Sequence, residues 1–146
     1  MVVDARTASA EKTVREHLDA WNRHDPDAIT RYYTDDAKAY DPSSPEPLQG
    51  KAALRKDAEQ FIGAFPDLKM EVSNIVCNGD SCGYEMVASG THRGTLEGAQ
   101  GSIPPTNRRM ESWAGIFVKL NDQGLITEEH RYYDQTGFVA QLGAGE

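Results

Sequence analysis

The apolar residues of this chain change their spacing at Pro66–Asp67, and this change constrains the fold more than any other feature. Before it, apolar residues recur at helical spacing, as at Val14, Leu18 and Trp21. After it, shorter apolar runs are separated by turn sequences, which is typical of antiparallel strands. Helices followed by strands indicate an α+β domain in which helices pack on a sheet, and the sheet must curl because its strands twist.

Three helices are expected in the first half. The first runs from about Ser9 to Asp25–Pro26, the second is capped by Asp25 with Pro26 at its first position, and the third covers 51–64. Asn78–Gly79 is the strongest hairpin signal in the chain. The other strands are expected at 37–40, 82–92, 108–120 and 125–133, with a glycine-rich loop at 94–105 and a short helix between Asp134 and Gly143.

Composition limits the classes of function. The length predicts one domain over 1–146, and a net charge of -8 argues against a nucleic-acid surface. No apolar run approaches the roughly 20 residues of a membrane span, and the N-terminus lacks a secretion signal, so a cytoplasmic protein is expected. Cys77 and Cys82 could face each other across the hairpin, but in a reducing cytoplasm two free thiols are expected.

The final strand carries the most informative side chains. Alternation places Glu128, His130, Tyr132 and Asp134 on one face, and two carboxylates, an imidazole and a phenol there are typical of a pocket lining. In a dry pocket, burial would raise the pKa of Asp134 from about 4 towards working pH, as a catalytic base requires. The alternative is that Asp134 caps the following helix, and a cap bond would lower its pKa.

Two histidines are further catalytic candidates. His92 ends a strand before a loop, where it is either a surface or core residue or a donor to a substrate oxyanion. His130 lies four residues, roughly 13 Å, from Asp134, so the two could bracket a ligand without pairing directly. His17 and His24 are expected on the exposed side of the first helix.

Several aromatic and apolar side chains are either core residues or the water-excluding wall of a substrate pocket. These candidate substrate-binding residues are Trp21, Tyr32, Tyr40, Phe61, Phe65, Tyr84, Met86 and Tyr132. No glycine pattern opens a nucleotide-binding helix, and no His/carboxylate set has metal spacing. Neither a cofactor nor a metal is therefore expected.

Three segments carry a family resemblance. They are 14–27 (VREHLDAWNRHDPD), 90–94 (GTHRG) with 104–106 (PPT), and 128–134 with 141–143 (QLG). The chain resembles the SnoaL-like polyketide cyclases of the nuclear-transport-factor-2-like superfamily. The resemblance implies a cone-shaped α+β barrel, in which three N-terminal helices wrap a strongly curved, mostly antiparallel sheet. The sequence departs from the family at His130, where relatives often have tryptophan, and at Tyr40–Asp41, where they often have histidine or asparagine.

The resemblance also implies a reaction. In such cyclases an aspartate at the end of the last strand is the general acid–base for an intramolecular aldol ring closure, and Asp134 matches it by position. His92 would then hold the enolate of a small hydrophobic or aromatic carbonyl substrate. Such an enzyme would be classed as a lyase or an isomerase. Double-bond isomerisation in the same cone and a non-catalytic binding or dimerisation module are alternatives. Epoxide hydrolysis, which in related enzymes uses an Asp-Arg-Asp set, ranks lower because strand parity turns Arg131 away from Asp134.

Assembly is a further implication. Relatives pair through the open face of the sheet, so a homodimer is expected. Trp113, Ile116 and Val118 lie on the long strand that could form this contact.

Overall fold

The structure, a computed structural model, describes residues 5–98 and 101–143. Its helices are α1 (Ala5–Asn22), α2 (Pro26–Arg31), α3 (Lys51–Ala64) and α4 (Gln135–Gln141). Its strands are β1 (Tyr33–Tyr40), β2 (Leu48–Gln49), β3 (Lys69–Asn78), β4 (Ser81–Thr91), β5 (Leu96–Gly98), β6 (Gly101–Ile103), β7 (Arg109–Leu120) and β8 (Ile126–Tyr133).

One curved sheet supports the site. Its six strands follow the order β2-β1-β8-β7-β4-β3, and neighbours are antiparallel except for the parallel pair β1–β8. The remaining strands, β5 and β6, form a separate hairpin inside the segment expected to be a loop. The predicted α+β class, with N-terminal helices on a mostly antiparallel sheet, is confirmed.

The helices form for the reasons that the sequence indicates. The α1 stripe of Val14, Leu18 and Trp21 is buried against the sheet. Asp25 caps α2 by accepting a hydrogen bond from the Ala28 amide, as predicted. The bounds of α3 agree with the prediction, whereas α1 begins earlier than expected.

A bulge between β7 and β8 determines which way the final strand faces. Leu120 pairs with Ile126, but the preceding residue of β7, Lys119, pairs with Glu128, so β8 carries an extra residue at this point. Ile126 and Glu129 are therefore both buried, although they are three residues apart. From Glu128 onward, side-chain parity is the reverse of the parity counted from Ile126.

The cysteine prediction is wrong. Cys77 and Cys82 form a disulfide across the β3–β4 hairpin. They are direct partners in the register, with Cα atoms 4.1 Å apart, so no backbone rearrangement is needed to join them. No helix in the described ranges is both long and apolar enough to cross a membrane.

Candidate active site

A cavity of about 810 Å³ lies between the inner face of the sheet and the helices. Most of its wall is apolar, and it includes Leu18, Trp21, Phe61, Met70, Met86, Leu96, Met110, Ile116, Phe138 and Val139. Charged and polar side chains also line it, among them His17, Asp41, Asp57, Glu129, Arg131 and Tyr133. A mostly apolar cavity with a few converging polar groups is the usual form of a small-molecule site.

Arg131 is at the centre of the charged cluster. Its Nε donates a hydrogen bond to Glu129 Oε2 at 2.8 Å. Its Nη1 donates to one oxygen of Asp41 and one oxygen of Asp57, both at 3.0 Å. None of the described residues accepts a hydrogen bond from Nη2, so this nitrogen is available to a ligand. The three carboxylates come from β8, α3 and the loop after β1, and together they hold the guanidinium in one orientation.

Asp41 is held in its ionised form. Burial alone would raise the pKa of this carboxyl, but Arg131, Ser43 and Tyr133 together lower it below its usual value. The Tyr133 hydroxyl and both the amide and the hydroxyl of Ser43 donate to Oδ1 at 2.7 to 2.8 Å, while Arg131 occupies Oδ2. Both oxygens are saturated, so Asp41 is a poor proton acceptor.

Glu129 is similarly engaged. Its pKa would be raised by burial but is lowered by Arg131 and by the nearby His17. Tyr33 donates to its Oε1 at 2.9 Å, and Arg131 occupies Oε2. Only 6% of the side chain is exposed, so Glu129 balances the guanidinium charge and offers little access to a substrate.

Asp57, on α3, is the carboxylate that a substrate can reach. Its side chain keeps 28% exposure, against 10% for Asp41. Arg131 donates to Oδ2, and none of the described residues donates to Oδ1. Burial raises its pKa above the ordinary value although Arg131 opposes the shift, and the negative charge of Asp41 raises it further. One free oxygen and a raised pKa are what a proton-transferring carboxylate needs.

His17 is also part of the cavity, so the expectation that it is exposed is wrong. It lies on α1 three residues after Val14 and four before Trp21, which places it on the buried stripe, and only 2% of it is accessible. Burial lowers the pKa of His17 to about 4 despite the nearby charge of Glu129. The imidazole is therefore neutral at physiological pH, and its Nε2 has no hydrogen-bond partner among the described residues.

Asp134 does not lie in a dry pocket, and this placement corrects the main site prediction. It is exposed, and its Oδ1 accepts a hydrogen bond from the Gly137 amide as the N-cap of α4. It does not line the cavity. The capping interpretation is therefore the one that the geometry supports, because this exposed carboxylate is bonded to the first turn of α4 and faces away from the cavity.

The rest of the predicted strand face points outward. His130 contacts Glu128 at 2.7 Å, and its ring stacks on Tyr40 with centroids 4.5 Å apart. Tyr132 is 57% exposed and packs edge-on against Phe117. These four polar and aromatic residues of β8 and β1 lie outside the 810 Å³ cavity, although Tyr40 and Tyr132 border a separate, smaller cavity of about 220 Å³. The alternation itself is as expected, but the opposite face, with Glu129 and Arg131, is the one that turns towards the cavity.

The remaining candidates divide into two groups. Trp21, Phe61, Tyr84 and Met86 line the cavity, which is the position that substrate contact requires. Three others do not line it. His92 is fully buried and contacts Thr106 at 3.0 Å, Phe65 is a core residue, and Tyr32 packs beside His17.

The charged cluster of Asp41, Asp57, Glu129 and Arg131 was not predicted from the sequence. From sequence alone, Asp57 on a helix and Arg131 on a strand are typical of solvent-exposed positions. One signal was available, because Asp57 lies three residues after Leu54 and four before Phe61, a spacing that places it on the apolar side of α3. Within the described ranges, no three His, Cys, Asp or Glu residues are arranged to hold a metal ion.

Comparisons with known proteins identify the family and the fold. The family model described as SnoaL-like polyketide cyclase matches residues 11–142. The proposed hydroxylase AclR from Streptomyces galilaeus is 26% identical, with a TM-score of 0.79, and the match covers 94% of this chain and 82% of AclR. The proposed polyketide cyclase IdmH from Streptomyces antibioticus is 26% identical, with a TM-score of 0.73 and coverage of 92% and 98%.

A third structure shows the fold alone. The proposed SnoaL-like polyketide cyclase from Jannaschia sp. CCS1 has a TM-score of 0.86 over 99% of this chain and 98% of its own, at 17% identity. No curated protein sequence matches the chain.

Proposed function

The chain belongs to the SnoaL-like polyketide cyclase family, and from that premise we propose that it is a cofactor-independent acid–base enzyme that closes a ring within an apolar carbonyl substrate. The observation that carries this proposal is Asp57, a carboxylate with one free oxygen beside Arg131 in a large apolar cavity. Asp57 takes the role that the sequence interpretation assigned to Asp134.

The proposed mechanism uses Asp57 as the only proton carrier. Its free Oδ1 removes a proton α to a substrate carbonyl, and the electron pair of the broken C–H bond forms an enolate. The enolate carbon then attacks a second carbonyl of the same molecule, and the new alkoxide takes the proton back from Asp57. General acid–base catalysis of this kind contributes roughly 10²- to 10⁴-fold.

Arg131 would stabilise the developing negative charge. Its Nη2 is the guanidinium nitrogen without a described protein acceptor, and the other nitrogens are fixed by the three carboxylates. A preorganised cation in a site that excludes water is worth more than the same cation in solution. The apolar wall, including Trp21 and Phe61, would fold the flexible substrate so that the two reacting carbons meet.

The first prediction tests Asp57 directly. With an aromatic poly-β-keto ester as substrate, we expect Asp57→Asn to lower kcat at least 100-fold while the dissociation constant changes little, because the amide keeps the shape but accepts no proton. Ring-closed product is measured by mass spectrometry. Glu59→Gln is the matched control, since Glu59 is on the same helix but pairs with Arg55 at the surface. Unchanged turnover in Asp57→Asn would refute the mechanism.

The second prediction concerns pH. The base must be ionised, so kcat/KM should fall as the pH drops through the pKa of Asp57 and stay level above it. Because burial raises that pKa, the midpoint should lie above the ordinary value of 3.8. The pH profile of the wild-type protein measures it. A midpoint at or below 3.8 would mean that another group is the base.

Epoxide opening is a second candidate, favoured by one observation. Asp41, Arg131 and Asp57 form an Asp-Arg-Asp set, which was not expected from the sequence because Arg131 was considered only in relation to Asp134. Protonated Asp57 would donate its proton to the epoxide oxygen as the C–O bond breaks, and Asp41 would take a proton from the attacking water. This reaction ranks second because Asp41 is saturated by donors. It also requires protonated Asp57, so its rate would fall as pH rises, opposite to ring closure.

A further inference from the structure

Two cavity-lining side chains carry buried polar atoms that no described residue satisfies. They are Nε2 of His17, on α1, and Oε1 of Gln135, the first residue of α4. Neither belongs to the Arg131 cluster. A buried polar atom without a partner costs free energy, and native proteins keep few of them. A partner supplied by the substrate would explain why this cavity keeps two.

We propose that His17 and Gln135 are specificity-determining residues, which hydrogen-bond two polar groups of the substrate away from its reacting carbonyl. The inference rests on the proposed function only in taking this cavity as the substrate site. It narrows the substrate class to polyoxygenated compounds, with hydroxyl or carbonyl groups at several positions. A hydrocarbon bearing one functional group would leave both atoms unsatisfied.

The chemistry of the two groups agrees with an uncharged partner. His17 is neutral at physiological pH because burial lowers its pKa to about 4, so it offers one donor and one acceptor nitrogen. The Gln135 carboxamide is neutral as well. Neither group compensates a substrate carboxylate, and the Arg131 charge is already balanced by carboxylates. Phenolic hydroxyls and ketones are the groups that these side chains would bind.

The test is a binding experiment with two probes of the same shape, naphthalene and 2,7-dihydroxynaphthalene. We expect the wild-type protein to bind the dihydroxy probe more tightly. His17→Phe and Gln135→Leu should each weaken binding of that probe by roughly 3- to 10-fold, the range for one neutral hydrogen bond, and leave naphthalene binding unchanged. Isothermal titration calorimetry measures both dissociation constants.

Thr34→Val is the matched control. The Thr34 hydroxyl is also buried without a partner, but Thr34 does not line the cavity. All three substitutions remove an unsatisfied polar atom and should raise the melting temperature. Only the two cavity variants should lose affinity for the dihydroxy probe. A purely structural role for His17 and Gln135 would make them behave as Thr34 does.

A second measurement does not depend on the variants folding. In wild-type protein labelled with ¹⁵N-histidine, the dihydroxy probe should shift the ring signals of His17 and leave those of His24, which bonds the Leu68 carbonyl, in place. The proposal is overturned if the two cavity variants keep the preference for the hydroxylated probe, if Thr34→Val loses it equally, or if neither probe binds. Because only binding is measured, failure of the Asp57 mechanism would appear separately, as retained turnover in Asp57→Asn.

Discussion

At the scale of single residues, Arg131 determines the charge balance of the cavity. It is 12% exposed and contacts three carboxylates, so its removal leaves negative charges together in a low-dielectric space. Breaking a buried ion pair by removing one partner costs about 3–5 kcal/mol. The same pair is nevertheless weak evidence for net stabilisation, because desolvation offsets most of the attraction.

The third prediction follows from that cluster. Arg131→Met should lower the free energy of unfolding at pH 7 by about 3–5 kcal/mol, measured by urea denaturation. The loss should shrink as the pH falls and the carboxylates become protonated. Arg15→Met is the control, because the Arg15 side chain is 57% exposed and pairs with Glu11 on α1, where such pairs contribute about 0.5 kcal/mol or less. An equal loss in both variants would contradict a charge-compensating role for Arg131.

At the scale of elements, substitutions of Asp134 at the start of α4 distinguish a helix-capping role of this residue from a catalytic one. The fourth prediction is that Asp134→Ala destabilises the protein by about 0.5–2 kcal/mol, whereas Asp134→Asn, which keeps a good cap residue, has almost no effect. Thermal unfolding measures both. Turnover should be unchanged in the Asn variant, so a large loss of kcat there would restore Asp134 as the proton carrier.

Sequence reasoning found most elements because their signals are local. The Asp25 cap, the α1 stripe and the hairpin after Asn78 each depend on residues that are close together in the chain. It failed where distant segments decide the outcome. The alternation of β8 was predicted, but alternation alone does not say which face turns inward, and the packed fold places Glu129, Arg131 and Tyr133 in the cavity.

The site was only partly predictable for the same reason. The apolar wall was found through Trp21, Phe61, Tyr84 and Met86, since large apolar residues are inside wherever they lie. The charged cluster joins Arg131 to Asp41 and Asp57, which lie 90 and 74 residues earlier in the chain. A buried ion pair has no sequence periodicity of its own, so only the assembled fold identifies it.

At the scale of the whole molecule, the outer face of the sheet presents an aromatic patch. We define the patch as Tyr40, Trp113, Phe117 and Tyr132, which are 38–64% exposed. Ile116 and Val118, expected to join such a contact, instead face the core. A contiguous exposed aromatic surface marks a protein–protein contact. We propose a second copy of the chain as its partner, in keeping with the resemblance.

The fifth prediction tests this proposed dimer. Trp113→Ser combined with Phe117→Ser should convert a dimer to a monomer without loss of folding, because both side chains are mostly exposed in the single chain. Sedimentation equilibrium measures the mass. Lys12→Ser is the control, since the Lys12 side chain is 77% exposed but lies on α1, which packs on the inner side of the sheet. A wild-type protein that is monomeric at high concentration would refute the proposal.

The segment leading into the β5–β6 hairpin packs tightly against the end of α3, and this contact limits which substitutions the fold can accept. The amide of Gly94 bonds to the Ala64 carbonyl, and a Cβ at position 94 would lie only 2.1 Å from the Gly63 oxygen. No larger residue fits at position 94 unless the segment before β5 moves away from the end of α3. Evolution towards bulkier or smaller substrates therefore has little freedom to change the residue at position 94. It has to act through the side chains that the hairpin carries, such as Leu96 and Ile103.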